Sequence, residues 1–223
     1  MSEQATPAVT NTASPANRRV NTRRLAETAI MIALATILSE LKIIPWVFGG
    51  GITIFAMVPM IFVSYRWGLK WGFFSAFVFG ILQLLLGVVK HGMNGLDLWV
   101  LVADLVLEYL LAYTLLGLGG LFRNKIKRPW LALPLGGAVA VAARYLVHFI
   151  AGVLIWGNYA EWFFVEDAGA GIGASVLNNF HGLGLAAVYS GIVNGSLFLG
   201  ELIVTVIGLV IVGLIPAINK KMD

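Results

Sequence analysis

Six apolar runs, separated by short polar or glycine-rich connections, organise the chain: roughly Leu25 to Ile44, Ile52 to Tyr65, Trp71 to Val89, Leu96 to Phe122, Leu131 to Trp156 and Ala186 to Ile215. A helix needs about 17 to 25 largely apolar residues to cross a bilayer, and the runs fit that length apart from the second, which is short and borrows from Val47 to Gly51. Pro45 with Gly49, Gly50 and Gly51 makes the first connection irregular, and Pro59 inside the second run predicts a kink. The pattern predicts an all-α polytopic membrane protein with six transmembrane helices. Met1 to Asn17, rich in Ala, Thr, Ser and Pro and without apolar periodicity, reads as disordered, so the chain divides into a tail over 1–22 and a membrane domain over 23–223. Arg18, Arg19, Arg23 and Arg24 before the first run resemble the start of a signal peptide. The run is too long for one and lacks a convincing cleavage site, which makes it a retained helix.

Composition strengthens the membrane reading. Of the 223 residues 59% are hydrophobic and 12% charged, with a mean hydropathy of +0.89, against about 25% charged in soluble domains. The chain has no cysteine, which excludes disulfides, thiolate metal sites and a cysteine nucleophile. Charge placement then orients it. Of the 15 Lys and Arg, all but Lys42, Lys90 and Arg144 fall before the first run, between the second and third, between the fourth and fifth, or after the sixth. Those positions share one side only if there are six spans, and the positive-inside rule makes that side, with both termini, cytoplasmic. The connection from Gly157 to Leu185, on the opposite side, is long and Gly-rich, and reads either as a lid or as an ordinary mobile loop.

Candidate chemistry begins with Glu108, set within the apolar stretch from Leu105 to Leu121. A carboxylate at the bilayer centre costs about 2.5 to 3.5 kcal/mol on insertion scales, so it needs a partner or a function. It reads as a site for a cation, or as a group neutralised by a neighbouring helix. His148 lies in the fifth run, and Trp156, eight residues on, shares its helical face. Tyr189 and Asn194 open the sixth run; Asn in a membrane helix also serves as glue between helices. Together Glu108, Tyr109, His148, Trp156, Tyr189 and Asn194 offer a carboxylate, an imidazole, an amide and aromatic rings near the outer half of three spans, an inventory suited to a flat cationic heteroaromatic. There is no nucleotide-binding G-x-x-x-x-G-K-[ST], no H-E-x-x-H and no G-x-S-x-G; His91, His148 and His181 lack metal-ligand spacing, so no metal is assigned. An intramembrane enzyme using Glu108 and His148 is the alternative from a different class. On the first span Ala29 and Ala33 stand four apart, a spacing that lets another helix approach closely or serves internal packing.

Glu108-Tyr109, Tyr145 to Ala160 (YLVHFIAGVLIWGNYA), Tyr189 to Asn194 (YSGIVN), Glu27 to Ala35 (ETAIMIALA) and Pro59 to Gly68 resemble the thiamine-specific substrate-binding subunits, the ThiT family, of energy-coupling factor transporters. The likeness runs from about Arg23 to the end. It implies a six-helix binding subunit in the cell membrane with no catalytic residues and no cofactor, whose pocket is lined by Glu108, Tyr109, His148, Trp156, Tyr189 and Asn194. It also implies that Ala29 and Ala33 dock a transmembrane coupling subunit carrying two ATP-binding cassette ATPases. The expected partners are therefore thiamine, that module and the lipid bilayer, with no nucleic acid. Where the family has a ligand-capping Trp in its first outer loop, this chain has only Trp46 nearby, and its Gly157 to Leu185 connection is longer than the family pattern. A thiamine precursor or another vitamin is the alternative ligand.

Overall fold

The computed structural model describes residues 15–45, 51–91 and 97–216. Among these the chain forms eight helices and one small hairpin. Helix α1 (Pro15–Glu40) leads into strands β1 (Lys42–Pro45) and β2 (Gly51–Thr53), then come α2 (Val58–Trp67) and α3 (Leu69–His91). Helix α4 (Leu98–Gly120) follows, with a π-helical stretch at Leu105–Leu111 and a 3-10 end at Leu115–Gly120. After it come α5 (Pro129–Leu154), the short α6 (Ala160–Glu166) and α7 (Ala170–Asn179), and α8 (Gly182–Leu214). Four of the helices, Leu69–Val89 in α3 and the whole of α4, α5 and α8, are long and apolar enough to cross a membrane. They correspond to the last four of the six predicted runs.

The first two runs fold differently from expectation. Helix α1 begins at Pro15, inside the stretch assigned to the tail, and stops at Glu40 instead of reaching Ile44. The β-branched Ile43 and Ile44 followed by Pro45 favour an extended chain, because Pro disfavours helical geometry in the residue before it. That segment pairs antiparallel with β2, Ile44 opposite Ile52 and Pro45 opposite Gly51. Gly51 has φ 142°, and a Cβ there would stand 2.6 Å from the Ile44 carbonyl oxygen, so the close pairing requires glycine. Helix α2 has only ten residues, about 15 Å of rise or half a hydrocarbon core. Pro59 makes no kink: it stands in the first turn of α2, where its missing N–H leaves no helical hydrogen bond unmade.

The expected loop from Gly157 to Leu185 is also more ordered than its glycines suggest. It holds α6, α7 and the start of α8, because Ala160, Phe163 and Phe164 bury against Leu185, Tyr189 and Val193 in a second apolar cluster. The main core lies elsewhere, around α2: Val58 to Tyr65 is buried throughout, packed with Ala35, Phe79, Leu116, Leu133 and Leu209. At its base the Ser64 hydroxyl donates to the Gly117 carbonyl and accepts from the Gly120 amide at 3.0 Å. Cβ atoms added at Gly72, Gly119 or Gly136 would collide with Ser64, Ile61 or Gly119 respectively, so this end of the bundle is packed backbone to backbone. The opposite end, where α4 begins and α5 ends, holds Asp104, Glu108, His148 and Trp156.

Candidate functional site

Glu108 lies in the π-helical stretch of α4, and such stretches occur often at functional sites because they turn side chains out of the regular helical register. Its Oε2 meets Nδ1 of His148 across the α4–α5 interface. Four residues before His148 on the same face of α5, the Arg144 Nε donates to His148 Nε2 at 3.0 Å. A guanidinium only donates, so Nε2 is the acceptor and the imidazole proton sits on Nδ1, where it donates to Glu108. Arg144 is held in turn by the Tyr113 ring, 4.2 Å from its centroid, and by Met57 Sδ at 3.4 Å.

One turn before Glu108 on α4, Asp104 Oδ1 accepts from the Trp156 indole at 3.2 Å. The two carboxylates thus share a helix face, each tied to a side chain presented by α5 or its C-terminal end. Asn194 on α8 donates to the His148 carbonyl at 3.3 Å and to Ser190 Oγ at 3.1 Å, while Ser190 donates to the Phe149 carbonyl at 2.8 Å. These bonds clamp α8 to α5 beside His148. A Cβ added at Gly152 would collide with Ser190 Oγ and stand 2.8 Å from Asn194 Nδ2, so glycine there permits the approach. Farther along α8, the buried Glu201 accepts from the Thr53 amide and hydroxyl at 2.6 and 2.8 Å, within electrostatic reach of Arg144.

Of the residues singled out in the sequence, Glu108, His148, Trp156 and Asn194 converge at the α4–α5–α8 junction. Tyr189 is buried and packs edge-on against Phe163 at 5.3 Å, in the cluster that also receives Trp156. Tyr109 turns toward α3, where its side chain lies against Gly87. Trp46 lies outside the described residues. Ala29 and Ala33 are exposed on α1 next to Ile30 and Leu34, while Thr28 and Ala35 face inward. Asp104, Arg144, Ser190 and Glu201 were not among the candidates. The signal for the first two was present: Asp104 and Arg144 stand four residues before Glu108 and His148, one helical turn each.

Formal charge at the site favours a cation. Asp104, Glu108 and Glu201 outnumber the Arg144 guanidinium on the three helices, and the surroundings are apolar. A model of the family described as thiamine transporter protein (Thia_YuaJ) matches residues 25–162, from α1 into α6 and across Glu108, His148 and Trp156. The chain belongs to the thiamine transporter family. Within that family it is 32% identical to thiamine transporter ThiT of Lacticaseibacillus paracasei over 213 residues, 89% of each chain. It is 29% identical to thiamine transporter ThiT of Bacillus subtilis over 153 residues, covering 61% of this chain and 72% of that one. The solved structure of ThiT from Listeria monocytogenes has the same fold, with a TM-score of 0.61 and 24% identity over 86% of this chain and 94% of that one. This is a family of transporters and not of enzymes, and its present member is a membrane protein with several spanning helices.

Proposed function

We propose that the chain is the thiamine-binding subunit of an energy-coupling factor transporter, taking thiamine at the outer face of the cell membrane into the junction of α4, α5 and α8. The observation that carries this reading is the pair of carboxylates one turn apart on α4, Glu108 against His148 and Asp104 against Trp156. Thiamine has a permanent positive charge on its thiazolium and a hydrogen-bonding aminopyrimidine. Glu108 supplies the counter-charge, the Trp156 and Tyr189 rings supply π surface, and Asn194 and His148 supply polar contacts. A desolvated cation over an indole gains about 2 kcal/mol. The groups that now hydrogen-bond each other are those a ligand would engage, so binding exchanges internal partners for ligand atoms and exposes no unpaired charge.

The six-span topology with cytoplasmic termini belongs to the same proposal. The first crossing is α1 continued by β1; the second is β2, a turn and the half-length α2. Non-helical backbone at membrane depth is tolerated where protein surrounds it, and the Thr53–Glu201 bonds tie the half-buried β2 to α8, whereas the β1 residues are exposed. The exposed Ala29–Ala33 strip on α1 is the docking surface for a coupling subunit, and ATP hydrolysis resides in two partner ATPases. The test is titration of purified protein with thiamine while Trp fluorescence and heat are followed. Quenching at micromolar or lower thiamine is expected; absence of both signals at that concentration rejects the ligand.

A further inference from the structure

Helices α4 to α8 contain a single basic residue, Arg144, against Asp104, Glu108, Glu161, Glu166 and Glu201. The Arg144 guanidinium is already engaged by His148, the Tyr113 ring and Met57. Glu108 suffices as the counter-charge of the proposed cation site, which leaves the charge of the second carboxylate on α4 without a task. Holding the Trp156 indole does not require it, since an amide oxygen at that place accepts the same hydrogen bond. A carboxylate in an apolar helix also costs more than an amide. Position supplies the use. Asp104 is one turn nearer than Glu108 to the start of α4, and Trp156 stands just past the end of α5, so their bond lies between the Glu108–His148 pair and the end of the bundle that faces outward in the proposed topology. A ligand entering from outside passes it.

We propose that Asp104 is a specificity-determining residue that admits the free cation and turns away its phosphate esters. The inference rests on the thiamine site proposed above. A phosphate monoester adds about −1.5 to −2 charge at neutral pH. It is carried on the hydroxyethyl arm of the thiazolium, and a thiazolium set against Glu108 keeps that arm close to the adjoining turn of α4, where Asp104 stands. Two like unit charges about 6 Å apart at an effective dielectric of about 20 lower an equilibrium constant about a hundredfold. Arg144 does not offset this, because it meets a phosphate only by giving up its bond to His148. Glu161 and Glu166, exposed on α6 at the same end, add repulsion of the same sign, weaker for being solvated. The wrong partner is rejected by a charge that the right one, a cation, finds favourable.

The experiment is calorimetric titration of the full chain in detergent with thiamine, thiamine monophosphate and the O-acetyl ester of thiamine, which carries a neutral group on the same arm. The wild type is expected to bind the phosphate about a hundredfold more weakly than thiamine, and the acetyl ester within about tenfold of it. In Asp104→Asn the amide oxygen keeps the Trp156 bond while the charge is gone. The gap between thiamine and its phosphate is then expected to close to about tenfold or less, with the standing of the acetyl ester unchanged. Asp104→Ala, which removes the carboxylate outright, carries the same ratio where Asp104→Asn does not fold. An acetyl ester rejected as strongly as the phosphate makes the exclusion steric and overturns the proposal. So does a thiamine-to-phosphate ratio equal in wild type and variant, or equal binding of both ligands by the wild type. Each of these outcomes leaves the thiamine site standing, whereas no binding of thiamine by the wild type overturns that site as well.

Discussion

Trp156 and Asp104 are joined by an indole N–H donating to a carboxylate oxygen at 3.2 Å, which ties the end of α5 to α4 one turn before Glu108. The bond fixes the ring that, in the proposed binding mode, offers its π face to thiamine. Asp104→Ala is therefore expected to weaken thiamine binding by about 1 to 2 kcal/mol by freeing the indole. The check is calorimetry together with the anisotropy of Trp emission; unchanged affinity would show that Trp156 is positioned by its apolar neighbours alone.

Glu108→Gln keeps the shape of the side chain and removes its charge. A loss of about 1.5 to 3 kcal/mol in thiamine affinity is expected, the range for a hydrogen bond to a charged group. Folding should persist, since the amide can still accept from His148 Nδ1. Equal affinity of variant and wild type would make Glu108 a packing element only.

At Trp156, truncation and ring replacement should diverge. Trp156→Ala is expected to lose binding severely and Trp156→Phe to retain part of it, because a phenyl ring keeps some π surface. Normal binding by Trp156→Ala, with loss in Trp162→Ala, would move the site onto α6.

Gly152→Ala tests the clamp between α5 and α8. The added methyl collides with Ser190 and presses on Asn194, so a stability loss of about 1 to 3 kcal/mol from overpacking is expected. Melting of the purified variant measures it, and a melting temperature equal to wild type would mean that α8 moves away freely.

Ala29→Trp and Ala33→Trp should separate binding from transport. Both positions are exposed on α1, away from the α4–α5–α8 junction. Thiamine affinity near wild type is expected, with loss of uptake in cells and of co-purification with the ATPase module. Normal uptake by both variants would place the docking surface elsewhere.

Much of this arrangement was legible in the sequence, and for identifiable reasons. Helices α3, α4, α5 and α8 follow from unbroken apolar length, which has few readings. The Glu108–His148 pairing was legible because isolated polar groups within apolar runs must find each other. The hairpin and the half-length α2 were not. Ile43, Ile44 and Ile52 are as apolar as any span residue, and only local chemistry at Pro45 and Gly51 decides that they pair as strands. Arg144 was noticed but left unassigned, because charge counting places a basic residue on a side of the membrane and says nothing of the side chain it will meet. Glu201 was lost in the most hydrophobic of the spanning helices among the described residues, its partner Thr53 lying 148 residues away.

The backbone-to-backbone packing around Ser64, Gly72, Gly119, Gly120 and Gly136 leaves that end of the molecule no spare volume for a side chain to grow into. Chemical novelty has to enter from the other end. Under the proposed binding mode, a change of cargo in this scaffold is therefore an edit of one rim, at Asp104, His148, Trp156 and Tyr189, on a plinth that tolerates nothing larger than hydrogen at those glycines.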